Sequence, residues 1–352
     1  MEYRKNFYLL IRGVFINLII IMVIVAIIDP YFHYHKPLTF LSYKFSSERY
    51  INDGIIRHFD YDSIITGTSM TENFKSSQFD KIFKSNSIKV PFSGASYKEI
   101  NDNLEKVFKY NPNVKIILRG LDYGKITDPF DRMEYDNYPE YLYDDNIFND
   151  YKYLLNKDVI FKEIRKNILL HTFNKNKTTT FDKYANWNDE YTSGKSAILK
   201  YKKRKTKTDI IETLSKEQYE IINKNIEKNI TSLPKKHPNT RFIYFITPYS
   251  ILYWDDLNQS GEVEKQIMAE KFMIEKILEV PNIELYSFFN NYDMICNLDN
   301  YKDAGHYMEN INEKILEWIE EGKYKITKKN YKEYIERNLK FYKNYNYDEI
   351  YK

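Results

Sequence analysis

"YDSIITGTSMTENF", residues 61–74, decides how the rest of the chain is read. Its "DSIITG" portion is a short β-branched run of the kind that forms a strand buried on both faces. The run ends in the small-residue turn Gly67-Thr68-Ser69, which would present a serine hydroxyl at the strand's carboxyl end. Ser69 is either a nucleophile held at that edge or a polar cap for the following helix. What the chain brings to the same edge separates the two.

Four further runs have the same character: "SIKVPFS" (87–93), "VKIILRGLDY" (114–123), "RFIYFITPYS" (241–250) and "IELYSFF" (283–289). Helical patterns alternate with them. Ser96 followed by Glu99 is a capping box ahead of Ile100, Leu104, Val107 and Phe108 on one face, and Ser215 with Gln218 repeats it. Two more stripes follow, Val263 to Leu278 and Ile311 to Ile319, the second stopping at Gly322. Strand–helix alternation of this kind specifies an α/β fold, with a central parallel sheet of about five strands covered by helices on both sides.

The N-terminus reads differently. "FYLLIRGVFINLIIIMVIVAIID" (7–29) is long and apolar enough to cross a bilayer, with Arg4, Lys5 and Arg12 near its start. That asymmetry predicts a cytoplasmic N-terminus and an extracytoplasmic main domain. No small-residue cleavage site follows, so residues 1–28 are expected to remain as an uncleaved single-pass anchor. Residues 29–58 then read as a linker, 59–123 with 215–322 as the α/β domain, and 323–352 as a Tyr/Lys-rich tail. Residues 124–214 are too long for an ordinary connection and read as an inserted, mostly helical lid or subdomain.

Composition excludes several functions. In 352 residues, 53 basic side chains oppose 50 acidic ones, too even a balance to point to a nucleic-acid partner. The run "KYKKRKTKTD" (200–209) reads as a solvated face or a weak site for an anionic envelope polymer. One cysteine, Cys296, excludes an internal disulfide and any cysteine-based metal cluster. The histidines lack ligand spacing, and the acidic series Asp128, Asp131, Glu134, Asp136 lacks the glycine and terminal glutamate of a calcium loop. No metal and no cofactor is expected.

Functional groups of open α/β sheets gather at the carboxyl ends of the strands. In chain order those ends carry Ser69, then Ser93-Gly94, then Arg119 to Asp122, then Thr247-Pro248. "NLDNYKDAGHYMENI" (297–311), with Asp303 and His306, follows the fifth strand. A serine needs a base to take its proton, and the base works best when a carboxylate fixes its tautomer. Asp303 and His306, three residues apart, supply both. Backbone N–H groups of Ser69 and Gly94 are placed to hold an oxyanion, with the Asn73 amide as a further candidate donor.

These blocks resemble the SGNH (GDSL-like) hydrolase superfamily: "GTSM" stands where its serine block stands, "SGAS" at its glycine block and "DAGH" at its Asp-x-x-His block. The resemblance covers roughly residues 60–123 and 240–320, and implies a flavodoxin-like three-layer α/β/α core. With the anchor and the Tyr-rich insertion, the layout resembles the membrane-anchored bacterial cell-envelope branch. That branch includes the D-alanine transfer protein of teichoic-acid D-alanylation and polysaccharide O-acetyltransferases. It implies a serine esterase or O-acyltransferase acting on an acylated donor or an envelope glycopolymer, often with a polytopic membrane O-acyltransferase as partner. One block departs: "LRGLDYG" (118–124) lacks the oxyanion-donating Asn of the superfamily's third block. A catalytically degenerate member that binds polymer or a membrane partner is therefore the alternative.

Overall fold

The five apolar runs become five strands: β1 (Ser63–Thr66), β2 (Ser87–Lys89), β3 (Ile116–Leu121), β4 (Arg241–Ile246) and β5 (Ile283–Ser287). The computed structural model describes residues 2–135, 137–173, 177–202, 204 and 206–352. Within it the five strands pair in parallel in the order β2-β1-β3-β4-β5. Alternate side chains of a strand point to opposite faces. Ile64 and Ile65 of β1 are both wholly buried, so both faces of the sheet are covered. Each such isoleucine contributes about 1.5–3 kcal/mol through burial.

A sixth strand was not expected. β6 (Lys325–Ile326) pairs antiparallel with β5 at the sheet edge, through Leu285 opposite Ile326, so the sheet is mixed. Two residues are too few to show a period in the sequence. The rest of the presumed tail also folds: helix Tyr331–Asn344 packs on helix Val263–Ile277, and Tyr342 stacks on Trp254 at 3.7 Å.

The helices fall into two groups. Right-handed crossovers put helix Ser76–Phe83, between β1 and β2, on one face and the helices of the later crossovers on the other. The packing agrees, since Ser76–Phe83 contacts Glu309–Glu320, while Tyr97–Tyr110 contacts Lys216–Asn229, which contacts Val263–Ile277. Both capping boxes form: Ser96 Oγ accepts from Glu99 N–H at 3.3 Å, and Ser215 Oγ from Gln218 N–H at 3.2 Å. The strand order reverses between β1 and β3, and the carboxyl ends of these two strands carry Ser69 and Asp122.

The chain forms two compact units, divided differently from the sequence expectation. One is Met1–Phe59 with Asn137–Thr180; the other is Asp60–Asp136 with Phe181–Lys352. Residues 29–58 are not a plain linker, because helix Glu48–His58 buries Ile51, Ile55 and Ile56. Nor is 124–214 one mostly helical lid. Residues 137–180 belong to the first unit, and 181–214 run mainly as irregular chain on the second.

In the first unit, helix Glu2–Ile28 is apolar and only 6% of its most hydropathic window is buried, so it is long and apolar enough to span a membrane. Its last carbonyls would otherwise lack partners. His35 Nε2 reaches the Ala26 and Ile27 carbonyls at 3.1 Å, and the Tyr43 hydroxyl donates to Ile28 O at 2.8 Å. Asp29, fully buried, accepts the N–H groups of His33, Tyr34 and His35 and the Tyr153 hydroxyl.

Candidate active site

The turn after β1 is set by backbone constraints. Gly67 has φ +151°, and a Cβ there would lie 2.6 Å from Thr71 Cγ2. Residues Ser69–Thr71 then form one 3-10 turn capped by Thr68, whose carbonyl accepts the Thr71 hydroxyl at 2.8 Å. The turn is braced from several directions. Met70 O accepts the Tyr307 hydroxyl at 2.8 Å and the Asn312 amide at 3.3 Å, and Ser69 O accepts Trp187 Nε1–H at 3.3 Å. Nearly all of its polar groups are committed, while the Ser69 side chain stays partly exposed.

His306 lies 237 residues further on and meets this turn. Its Nε2 is 2.7 Å from Ser69 Oγ, and its Nδ1 is 2.9 Å from Asp303 Oδ2 and 3.0 Å from Oδ1. With a carboxylate on Nδ1, the neutral ring carries its proton there and leaves Nε2 as the acceptor facing the serine. Asp303 Oδ1 also accepts the N–H groups of Gly305 and His306, at 2.9 and 2.8 Å. Burial alone would raise the Asp303 carboxyl. The imidazole's hydrogen bond and charge, with the two N–H donors, outweigh it and hold the pKa at about 2. Ser250 fixes the loop by donating its N–H and its hydroxyl to Ala304 O, at 2.9 and 2.8 Å.

Gly94 lies on a turn tied to the same edge. Phe92 N–H donates to Gly67 O at 2.9 Å, Ala95 N–H donates to Phe92 O at 3.0 Å, and Gly94 takes φ +67° within that turn. The N–H groups of Ser69 and Gly94 have no acceptor among the described residues.

Asn73 does something other than donate to an oxyanion. Its Oδ1 accepts Trp187 N–H at 3.0 Å, and its Nδ2 is enclosed without a partner among the described residues. A donor with no exposed surface cannot meet a substrate oxygen, so Asn73 positions Trp187 instead. Arg119 is likewise committed elsewhere. Fully buried, it donates to Asn229 O at 2.7 Å and Tyr97 O at 3.1 Å, between the rings of Tyr97 and Tyr244.

Several neighbours carried no signal in the sequence, Asp122 at the strand ends excepted. Trp187 stands edge-on to His306 with ring centroids 5.7 Å apart, and the Lys302 ammonium lies over Trp187 and Tyr191. Asp122, at the end of β3, accepts the Thr68 hydroxyl at 2.8 Å and the Tyr249 hydroxyl on its other oxygen. It thereby links the residue before Ser69 to a ring packed near Gly305. Burial pushes the Asp122 carboxyl up, only partly offset by Thr68 and by the charge of Lys125.

The remaining charged motifs are partly paired. Asp128 and Glu134 bind Lys125 and Arg132, while Asp136 lies outside the described residues. In the basic run, Lys202 pairs with Asp256 and Arg204 with Asp255 and Asp348; Lys203 and Lys205 lie outside the described residues. Compared as a whole, the chain matches no family model, no curated protein and no solved structure.

Proposed function

We propose that the protein is a serine acyl-esterase or O-acyltransferase, and that Ser69, His306 and Asp303 are its nucleophile, base and orienting carboxylate. One observation carries this reading: Ser69 Oγ lies 2.7 Å from His306 Nε2 while Asp303 holds Nδ1. Ser69 Oγ attacks the acyl carbonyl and its proton passes to Nε2. The negative charge on the tetrahedral oxygen falls to the N–H groups of Ser69 and Gly94. The leaving alcohol takes the proton from Nε2, and an acyl ester remains on Ser69. An acceptor hydroxyl, of a sugar, polyol or water, then gives its proton to Nε2 and takes the acyl group, and Nε2 returns that proton to Ser69 Oγ as the acyl–Oγ bond breaks.

The strand order β2-β1-β3-β4-β5 is that of flavodoxin-like sheets, which supports the SGNH resemblance and its three-layer core. On that resemblance we assign the protein to the extracytoplasmic face of a bacterial membrane, anchored by helix Glu2–Ile28. Its substrates are then an acylated donor and an envelope glycopolymer, with a polytopic membrane O-acyltransferase as the donor's source.

A specific observation favours the second reading, a non-catalytic binding protein. With Asn73 enclosed, the N–H groups of Ser69 and Gly94 are the candidate donors left among the described residues, and loss of one donor typically costs about a hundredfold or more in rate. A fluorophosphonate probe separates the two. Labelling of the folded full chain that disappears in Ser69→Ala supports the enzyme, and a folded protein that never labels supports the binding role.

A further inference from the structure

Outside the anchor helix, the first unit exposes large apolar side chains in a segment that is also basic. Ile147 and Phe148 are 73% and 85% exposed, immediately before the short helix Tyr151–Leu154 that packs on the anchor. Along the following helical stretch, Val159–Glu163 and Ile164–Phe173, Phe161 is 72% exposed and Phe173 75%. Exposure of such groups to water is unfavourable unless something covers them, and exposed apolar surface of this kind marks a contact site.

The charges in the same segment identify what covers it. Lys152, Lys157 and Arg165 are exposed, and they make no ion pair among the described residues. The acidic groups nearby are used: Asp158 pairs with Lys162, and Glu163 with Lys166. Phenylalanines and unpaired cations along a run of short helical pieces are the composition of a segment lying in a membrane interface. There the rings enter the headgroup–acyl boundary and the cations meet lipid phosphates. The segment is also rigidly continuous with the anchor's end. Tyr153 donates to Asp29 at 2.8 Å, and Asn167 accepts Lys44 N–H at 2.8 Å, one residue after the tyrosine that caps Ile28 O.

We propose that residues 147–173 are a lipid-contact surface, seated on the anionic phospholipid headgroups where helix Glu2–Ile28 leaves the bilayer. Phe148 and Phe161 insert into the boundary, and Lys152, Lys157 and Arg165 engage phosphates. The inference rests on the reading of that helix as a membrane anchor and is independent of the chemistry at Ser69.

The test uses the full chain with Cys296→Ser and a single new cysteine, Phe148→Cys or Phe161→Cys, carrying a polarity-sensitive fluorophore. Tyr219→Cys on the second unit is the control. In phosphatidylcholine–phosphatidylglycerol vesicles, headgroup-level nitroxide lipids should quench positions 148 and 161 several-fold more than 219. Lys152→Gln/Lys157→Gln/Arg165→Gln, or vesicles lacking phosphatidylglycerol, should weaken that difference. Ile147→Cys repeats the measurement if either phenylalanine variant fails to fold. Equal, water-like quenching at 148, 161 and 219 overturns the proposal. So does protection seen only in native membranes, which would give the surface to a protein partner. Fluorophosphonate labelling of Ser69 is scored on the same samples, so failure of the acyl-transfer reading stays distinguishable.

Discussion

A hydroxyl, an imidazole and a carboxylate drawn from two loops 234 residues apart act as one unit only if all three are present. Ser69→Ala and His306→Gln are each expected to lower ester turnover on the order of 10⁴- to 10⁶-fold, with melting behaviour unchanged. Asp303→Asn should cost about 10⁴-fold, because the amide lets the ring adopt the wrong tautomer. Steady-state rates on a p-nitrophenyl ester, with a thermal melt of each variant, check both statements. A large stability loss in any of them would mark that side chain as structural. Much of this site was legible at the residue level. Ser69 sits in a small-residue turn after an apolar run, and Asp-x-x-His fits one turn of chain. Trp187 and Tyr249 were not legible as site residues, because they reach it through contacts across 118 and 127 residues that no local spacing encodes. Asn73 was read as a donor from its distance to Ser69, but sequence distance cannot tell that its carbonyl is taken by Trp187.

At the level of elements, two glycines, Gly67 after β1 and Gly120 in β3, leave room for the Thr71 side chain. A Cβ on Gly120 would lie 2.8 Å from Thr71 Cγ2 and 3.1 Å from Phe245 Cζ. Gly120→Ala is therefore expected to destabilise the protein by about 1–3 kcal/mol through overpacking. Adding Thr71→Ser, which keeps the hydroxyl and removes the methyl, should recover part of the loss in denaturant melts. A second element-level prediction concerns Glu270 on helix Val263–Ile277. It is fully buried and accepts the hydroxyls of Tyr123 at 2.9 Å and Tyr334 at 2.6 Å, the latter from helix Tyr331–Asn344. Burial raises its pKa to about 7 despite those hydrogen bonds. The folded state thus keeps a proton that the unfolded chain releases near pH 4.5, so this group makes stability fall as pH rises from about 4.5 to 7. The fall is on the order of 3 kcal/mol. Glu270→Gln should flatten that part of the stability–pH profile, and an unchanged profile would contradict the assignment. Five strands and the capped helices were legible because β-branched runs and capping boxes are local signals. β6 was not, being two residues long, and Tyr334 and Tyr342 hid the buried stripe of the last helix within a Tyr/Lys-rich segment.

Across the whole molecule, the chain carries an apolar N-terminal helix long enough to span a membrane and an α/β unit with a serine–histidine pair. The excess of Arg and Lys before the apolar run predicts that the α/β unit faces outward. A C-terminal alkaline phosphatase fusion should be active and a green fluorescent protein fusion dark; the reverse would invert the topology. The apolar helix was plain in the sequence, because Gly13 to Ile28 carry no charged side chain and only one polar one, Asn17. The division into units was not, since residues 29–59 and 137–180 associate across a gap that periodicity cannot bridge. The central claim is that Ser69 becomes acylated. Intact full-length protein acid-quenched during turnover of p-nitrophenyl acetate, then digested for peptide mass spectrometry, tests it most directly. The account predicts one acetyl group on the peptide containing Ser69, lost in Ser69→Ala. Acetylation confined to lysines, or none on a protein with an intact melting transition, would contradict it.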